Sequence, residues 1–232
     1  MSEEGSRTGG LLLIGGALLL LLGTLLHPMG ADPNDSVAAF AEYAGDRLWI
    51  ASHLGQLLGV LLIAAGLIVL SGQLGQRKRD ALPNLAAGGA ILMAAVATFL
   101  QAVDGIALIR VVDAWDGASA EEQARALWSA YAVRQVEIGG AAVFALVSGL
   151  TFVLFGVGLL RSSRFPSWLG WLAVVGGAGS VAGGVATAYT GFSSLAMSLT
   201  MPSGAVLLMW MLAVGFLPFR RGAAFAGHQR LH

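Results

Sequence analysis

Six apolar runs divide the chain, each close to the ~20 residues that a helix needs to cross a bilayer. The first covers 9–26, almost entirely Leu, Ile, Gly and Ala, and ends at His27-Pro28, where proline interrupts the helical hydrogen-bond ladder. The second covers about 48–74 and stops at the basic turn 76–80. The third begins near Pro83, a residue suited to a first helical turn, and reaches at least Val103, with apolar sequence continuing over 106–112. The last three cover about 138–160, 166–190 and 202–219.

Two polar stretches, 28–46 and 113–137, each predict a short amphipathic helix outside the membrane. Ser36 is placed to cap the first, with Val37, Phe40, Ala41 and Ala44 on one face. Ser119 and Glu122 have capping-box spacing for the second, whose stripe of Leu127, Trp128 and Tyr131 leads straight into the fourth span. The fold class expected is all-α, a polytopic transmembrane bundle of six helices with two short outer amphipathic helices. It forms one domain over 9–221, flanked by tails at 1–8 and 222–232. The first run is read as a retained span and not a cleaved signal peptide, because Glu3 and Glu4 accompany Arg7 and the run is long.

Composition agrees: 56 % of the 232 residues are hydrophobic and 11 % charged, against about 25 % charged in a soluble protein. Charge then orients the spans. With both termini inside, nine of thirteen basic residues fall on the inner side and ten of thirteen acidic residues on the outer side. Every inner turn is basic: Arg77, Lys78 and Arg79, then Arg161 and Arg164, then Arg220 and Arg221. The expected location is the cell (plasma) membrane, multi-pass, with both termini cytoplasmic. A weak likeness between 82–86 and 165–170 suggests a parallel duplication of two helical hairpins. Zero net charge without a basic face argues against a nucleic-acid partner, and the lack of cysteine excludes thiol chemistry. The partners expected are the lipid bilayer, a small-molecule or ion ligand, and a membrane-protein partner or second copy.

Candidate chemistry follows from depth. In an antiparallel hairpin, residues equidistant from the turn share a level. Counting from Lys78 sets His53 opposite Asp104 and Gln56 opposite Gln101, one helical turn deeper. Glu137 and Tyr189 match across the next hairpin, and His27 ends the first span at a similar height. The candidate ligand-binding set is therefore His53, Gln56, Gln101, Asp104, Glu137 and Tyr189. Ionisable groups inside a membrane point to function, although polar groups near helix ends also tie neighbouring helices together. His27, His53 and Asp104 are suitable metal ligands by type. They lack a His-x-x-x-His or Glu-x-x-His spacing, and Pro28 adjoins His27. No cofactor is predicted, while haem or a metal stays open. A His53–Asp104 dyad beside Ser52 has no accompanying serine-nucleophile motif, so no enzyme assignment is made.

Gly55 with Gly59, and Gly179 with Gly183, have the spacing for close helix approach, which marks the fifth span as a central packed helix. Trp49, Trp128, Tyr131 and Trp168 are expected in the interfacial belt. Trp210, Met209 and Met211 are expected in the core or against lipid.

The chain resembles a family of uncharacterised six-span bacterial membrane proteins, the domain-of-unknown-function 4386 group. The residues that carry the likeness are Arg-Leu-Trp-Ile-Ala-Ser-His at 47–53 and Arg-Phe-Pro-Ser-Trp-Leu-Gly-Trp-Leu at 164–172, with the acidic loop after the first span. The likeness covers 10–219 and implies a six-helix inner-membrane protein, with no catalytic residues to carry over. Three functions stay open. The leading one is a membrane protein with an outward-facing polar pocket for a small ligand or ion. The others are an accessory or structural subunit, and a haem- or metal-dependent membrane enzyme or redox carrier.

Overall fold

The structure is a computed structural model that describes residues 3–74 and 80–229, with side chains through Phe219. Arg77, Lys78, Arg79 and Arg230, and the side chains of Arg220 and Arg221, lie outside the described residues.

Helix α1 (Glu3–Leu26) is followed by the short α2 (Ser36–Ala44) and by α3 (Trp49–Ser71). Next come α4 (Leu82–Gln101), a π-helical stretch (Ala102–Leu108) and α5 (Ile109–Asp116). The chain closes with α6 (Gln123–Arg161), α7 (Ser167–Thr190) and α8 (Ser194–Gln229). Among the described residues six helices are long and apolar enough to cross a membrane: α1, α3, the continuous Leu82–Asp116 rod, α6, α7 and α8 up to Phe219. The protein is a polytopic, all-helical membrane protein.

Local chemistry corrects several expected boundaries. Asp35, and not Ser36, caps α2: its carboxylate accepts from the Val37 and Ala38 backbone N–H groups at 3.2 and 3.1 Å. The buried face consists of Ala39, Phe40 and Tyr43, with Val37 exposed. Ser119 makes no capping box, because its hydroxyl meets the Glu122 carboxylate at 3.4 Å and α6 begins only at Gln123. The last span starts eight residues before Pro202. Ser193 takes the cap, its hydroxyl accepting from Ala196 N–H at 3.2 Å, and the proline sits inside the helix, as membrane helices tolerate.

The spans form a closed ring. Each packs on two others, in the order α1–α3–α4–α6–α7–α8 and back to α1. Two hairpin seams are the tightest, and both use small residues every seventh position. On α1 and α3 the pairs are Gly9 with Gly66, Gly16 with Gly59, and Gly23 with Ser52. On α6 and α7 they are Gly156 with Gly170, Gly149 with Gly177, and Ala142 with Gly184. A methyl group added at Gly16 or Gly149 would stand 2.6 Å from the carbonyl oxygen of Gly59 or Gly177, too close for any side chain. The matching seams thus relate α1–α3 to α6–α7, two hairpins that run in opposite directions, whereas the parallel likeness read from sequence paired α3–α4 with α6–α7. The fifth span, α7, is one member of the ring and not its centre. A Cβ added at Gly55 would meet nothing within 4 Å, so that glycine is not at a close helix approach.

Inside the ring, one end is plugged by Trp210, fully buried, stacked edge-on against Phe152 at 5.5 Å and donating to the Leu169 carbonyl at 2.8 Å. The other end lies under a cap made by α2, α5 and the start of α6. Its separate core joins Phe40, Tyr43, Trp49, Leu108, Val112 and Trp115. Trp49 is therefore a core residue, 1 % exposed, and not a belt anchor, while Trp128 and Trp168 are exposed as a belt requires. Trp210 and Met211 are buried, and Met209 faces outward.

Candidate functional site

Beneath the cap, three elements bring their polar residues to one point. The loop after α1 supplies His27, the first turns of α3 supply Trp49 and His53, and the π-helical stretch supplies Asp104. A π-helix widens the backbone ring by one residue, a departure from regular geometry often found at functional sites. Here it carries Gly105 against α3 so closely that an added Cβ would lie 2.5 Å from the His53 Cβ. Only glycine allows the rod to approach far enough for Asp104 to meet His53.

The two imidazoles are oriented in the same way. Nδ1 of His27 lies 2.7 Å from the Pro28 carbonyl oxygen, and Nδ1 of His53 lies 2.7 Å from the Trp49 carbonyl oxygen. A carbonyl only accepts, so each Nδ1 carries the proton and donates. In its neutral form each ring keeps a lone pair on Nε2, whereas a protonated His53 presents Nε2–H to Asp104 as an ion pair. His53 Nε2 stands 3.2 Å from Asp104 Oδ2, yet makes no hydrogen bond of adequate geometry. Asp104 Oδ1 and Gln101 Oε1 are likewise buried without a partner in the chain. One ligand atom from each of His27, His53 and Asp104 falls within 4.8 Å of the others. Burial, with the neighbouring His53 next, holds the His27 imidazole below its ordinary pKa and so favours its neutral form.

Trp49 holds this group together. Its ring stacks on His53 at 4.4 Å, His27 at 5.0 Å and Tyr43 at 4.4 Å, and its indole N–H donates to the Asp104 carbonyl at 3.3 Å. Burial pushes the Tyr43 hydroxyl up to about 12, against the opposing pull of Arg134.

One turn deeper the Gln101 amide donates to Gln56 Oε1 at 3.1 Å, so both depth-matched pairs meet across the α3–α4 hairpin. Glu137 is buried nearby but paired: Arg134 donates to it at 2.6 Å and to the Pro33 carbonyl at 3.1 Å. The same guanidinium lies over the rings of Tyr43 and Phe192, at 5.6 and 5.0 Å. Tyr189 is 86 % exposed and stands apart from the group. Its partner in depth is correct, but its position around the helix points it outward, a rotation that counting residues from a turn does not resolve. Trp49 and Arg134 were missed. Arg134 carried a signal, an Arg-x-x-Glu pair at the head of an apolar run, whereas Trp49 had the ordinary appearance of a belt residue.

A family model described as "Domain of unknown function (DUF4386)" matches residues 8–215, and the chain belongs to that family. No curated protein and no solved structure matches it.

Proposed function

We propose that this member of the six-span family binds a divalent transition-metal ion through His27, His53 and Asp104, on the outer side of the cell membrane. The observation that supports this reading is the shared orientation of the two histidines. Each is anchored through Nδ1–H to a backbone carbonyl, the outer-shell arrangement that metal-bound imidazoles use to fix their tautomer. Two imidazoles and one carboxylate suit first-row ions, and three protein ligands leave coordination positions for water or a further ligand. A cation between His53 Nε2 and Asp104 would take the place of the proton that otherwise pairs the two as imidazolium and carboxylate.

The neighbouring polar pairs have a different part. Gln56 with Gln101, and Arg134 with Glu137, are bonded to each other and act as ties between elements, which is the structural reading for those four residues. The basic residues at the α6–α7 turn, Arg161 and Arg164, support a cytoplasmic location for that end and an external one for the histidines.

Elemental analysis tests the proposal. The purified protein is stripped with chelator and reloaded separately with Zn²⁺, Fe²⁺ or Mn²⁺. The expected result is about one ion per chain for one of these metals, lost in Asp104→Asn and His53→Gln and kept in Gln56→Ala. Equal loading of the Asp104→Asn/His53→Gln double variant, or no loading of the parent, sinks it.

A further inference from the structure

Below the polar layer the ring borders a half-open chamber of about 290 Å³ to which all six spans contribute. Leu20 comes from α1, Val60 and Ile63 from α3, and Met93 from α4. On α8 the lining residues are Met197, Thr200, Gly204, Leu207 and Met211, spaced i, i+3, i+7, i+10, i+14, so one face of that helix forms the wall. Phe192, whose ring lies beneath Arg134, also lines the chamber. Phe152, stacked on Trp210, closes it at one end.

Close-packed interiors hold few voids larger than a water molecule, and those that persist are apolar. This one is larger and open on one side, and its polarity is one-sided. Four hydroxyl groups line it, and all spend their proton on a backbone carbonyl. Thr187 and Thr200 donate to Gly183 and Ala196 at 2.9 Å each. Ser148 and Ser180 both donate to Ala145, at 3.3 and 3.1 Å. What they leave is lone pairs, which accept. Among the described residues no charged side chain lines the wall. The chamber therefore has nothing to neutralise an anion and nothing to donate to a carbonyl, but it matches a hydrocarbon body carrying at most a hydroxyl.

We propose that the chamber is a binding site for a neutral lipophilic alcohol or hydrocarbon. Its size is about twelve carbon atoms, scaling from the roughly 150 Å³ that holds a benzene ring. The site is separate from the metal position, sharing none of its lining residues with His27, His53 and Asp104.

Gly204 gives the test. It sits in the middle of the lining stripe, and a Cβ there would meet nothing within 4 Å. Gly204→Leu thus fills the chamber without displacing a neighbour, and replacing glycine inside a helix favours the helix. The full chain is reconstituted in phosphatidylcholine nanodiscs and photolabelled with dodecanol bearing a terminal diazirine. Labelling is expected to be saturable, to map to the lining of α6 and α8, and to be competed by dodecanol but not by dodecanoate. It should fall by about tenfold or more in Gly204→Leu, and likewise in Ala141→Leu on the facing wall of α6. Labelling confined to outward residues such as Leu22 and Leu150, competition by dodecanoate, or indifference to both variants overturns the proposal. Metal content separates the two sites. Asp104→Asn should lose metal and keep labelling, and Gly204→Leu should do the reverse, so either reading can fail while the other stands.

Discussion

At the histidine end of the ring, Trp49 donates to the Asp104 carbonyl and stacks on two imidazoles; at the far end, Trp210 donates to the Leu169 carbonyl and stacks on Phe152. Both tryptophans are buried, and both satisfy their single donor. The ends differ in what surrounds that pair. Around Trp210 the neighbours are apolar, so the plug is a packing device. Around Trp49 the side-chain atoms His53 Nε2 and Asp104 Oδ1 remain buried without a hydrogen-bond partner in the chain. Buried polar groups are costly unless paired, so a fold that needed only a plug had an apolar solution available to it, and used it at the other end. The contrast separates stability from binding, and variants at each end should separate them too.

The largest effect is expected at the cap. Arg134→Ala leaves Glu137 buried without its partner and should cost about 3–5 kcal/mol, read as a drop in the detergent-solution unfolding midpoint. The Arg134→Met/Glu137→Gln double variant should recover most of it, and failure to recover would mean that the Pro33 and Phe192 contacts matter more than the ion pair. Trp210→Ala should cost a comparable ~3–5 kcal/mol by opening a cavity, with metal content unchanged. A loss of metal in that variant would erase the distinction between the two ends. Asp104→Asn is nearly isosteric and should barely move stability. It should weaken metal affinity by about 100-fold or more, as titration with a competing chelator would read. Gln56→Ala is expected to cost only ~0.6 kcal/mol, a typical value for a side-chain hydrogen bond in a membrane, without altering metal content.

The smallest effect is a titration. Tyr43 is raised in the folded protein to about 12, so burial favours its neutral form. A raised folded-state pKa means that this contribution is complete below the ordinary tyrosine value and is lost as pH climbs from about 10 through 12. An ultraviolet titration should show one late ionisation step that Tyr43→Phe removes.

How much of this was legible depended on the kind of information each residue carries. The apolar runs, the junction of the outer helix with α6, and the pairing of His53 with Asp104 and Gln56 with Gln101 follow from length and from counting outward from a turn. Counting sets depth along a hairpin, which is why those pairs met. It does not set rotation, which is why Tyr189 faces outward. Nor does it place a third element, so His27 was discounted for an adjoining proline whose carbonyl in fact orients the ring.

The sequence by itself determined that this chain spans a membrane six times and which polar residues lie near one end. Hydrophobic length and helical rise are local properties, readable from neighbours along the chain. Only the tertiary structure decided that the spans close into a ring, that Gly105 lets a π-helical stretch bring Asp104 to the histidines, and that a chamber lies between the two plugs. Those features come from contacts among α1, α3, α4, α6, α7 and α8 that are remote in sequence, where one carbonyl beside one glycine sets how closely two helices approach.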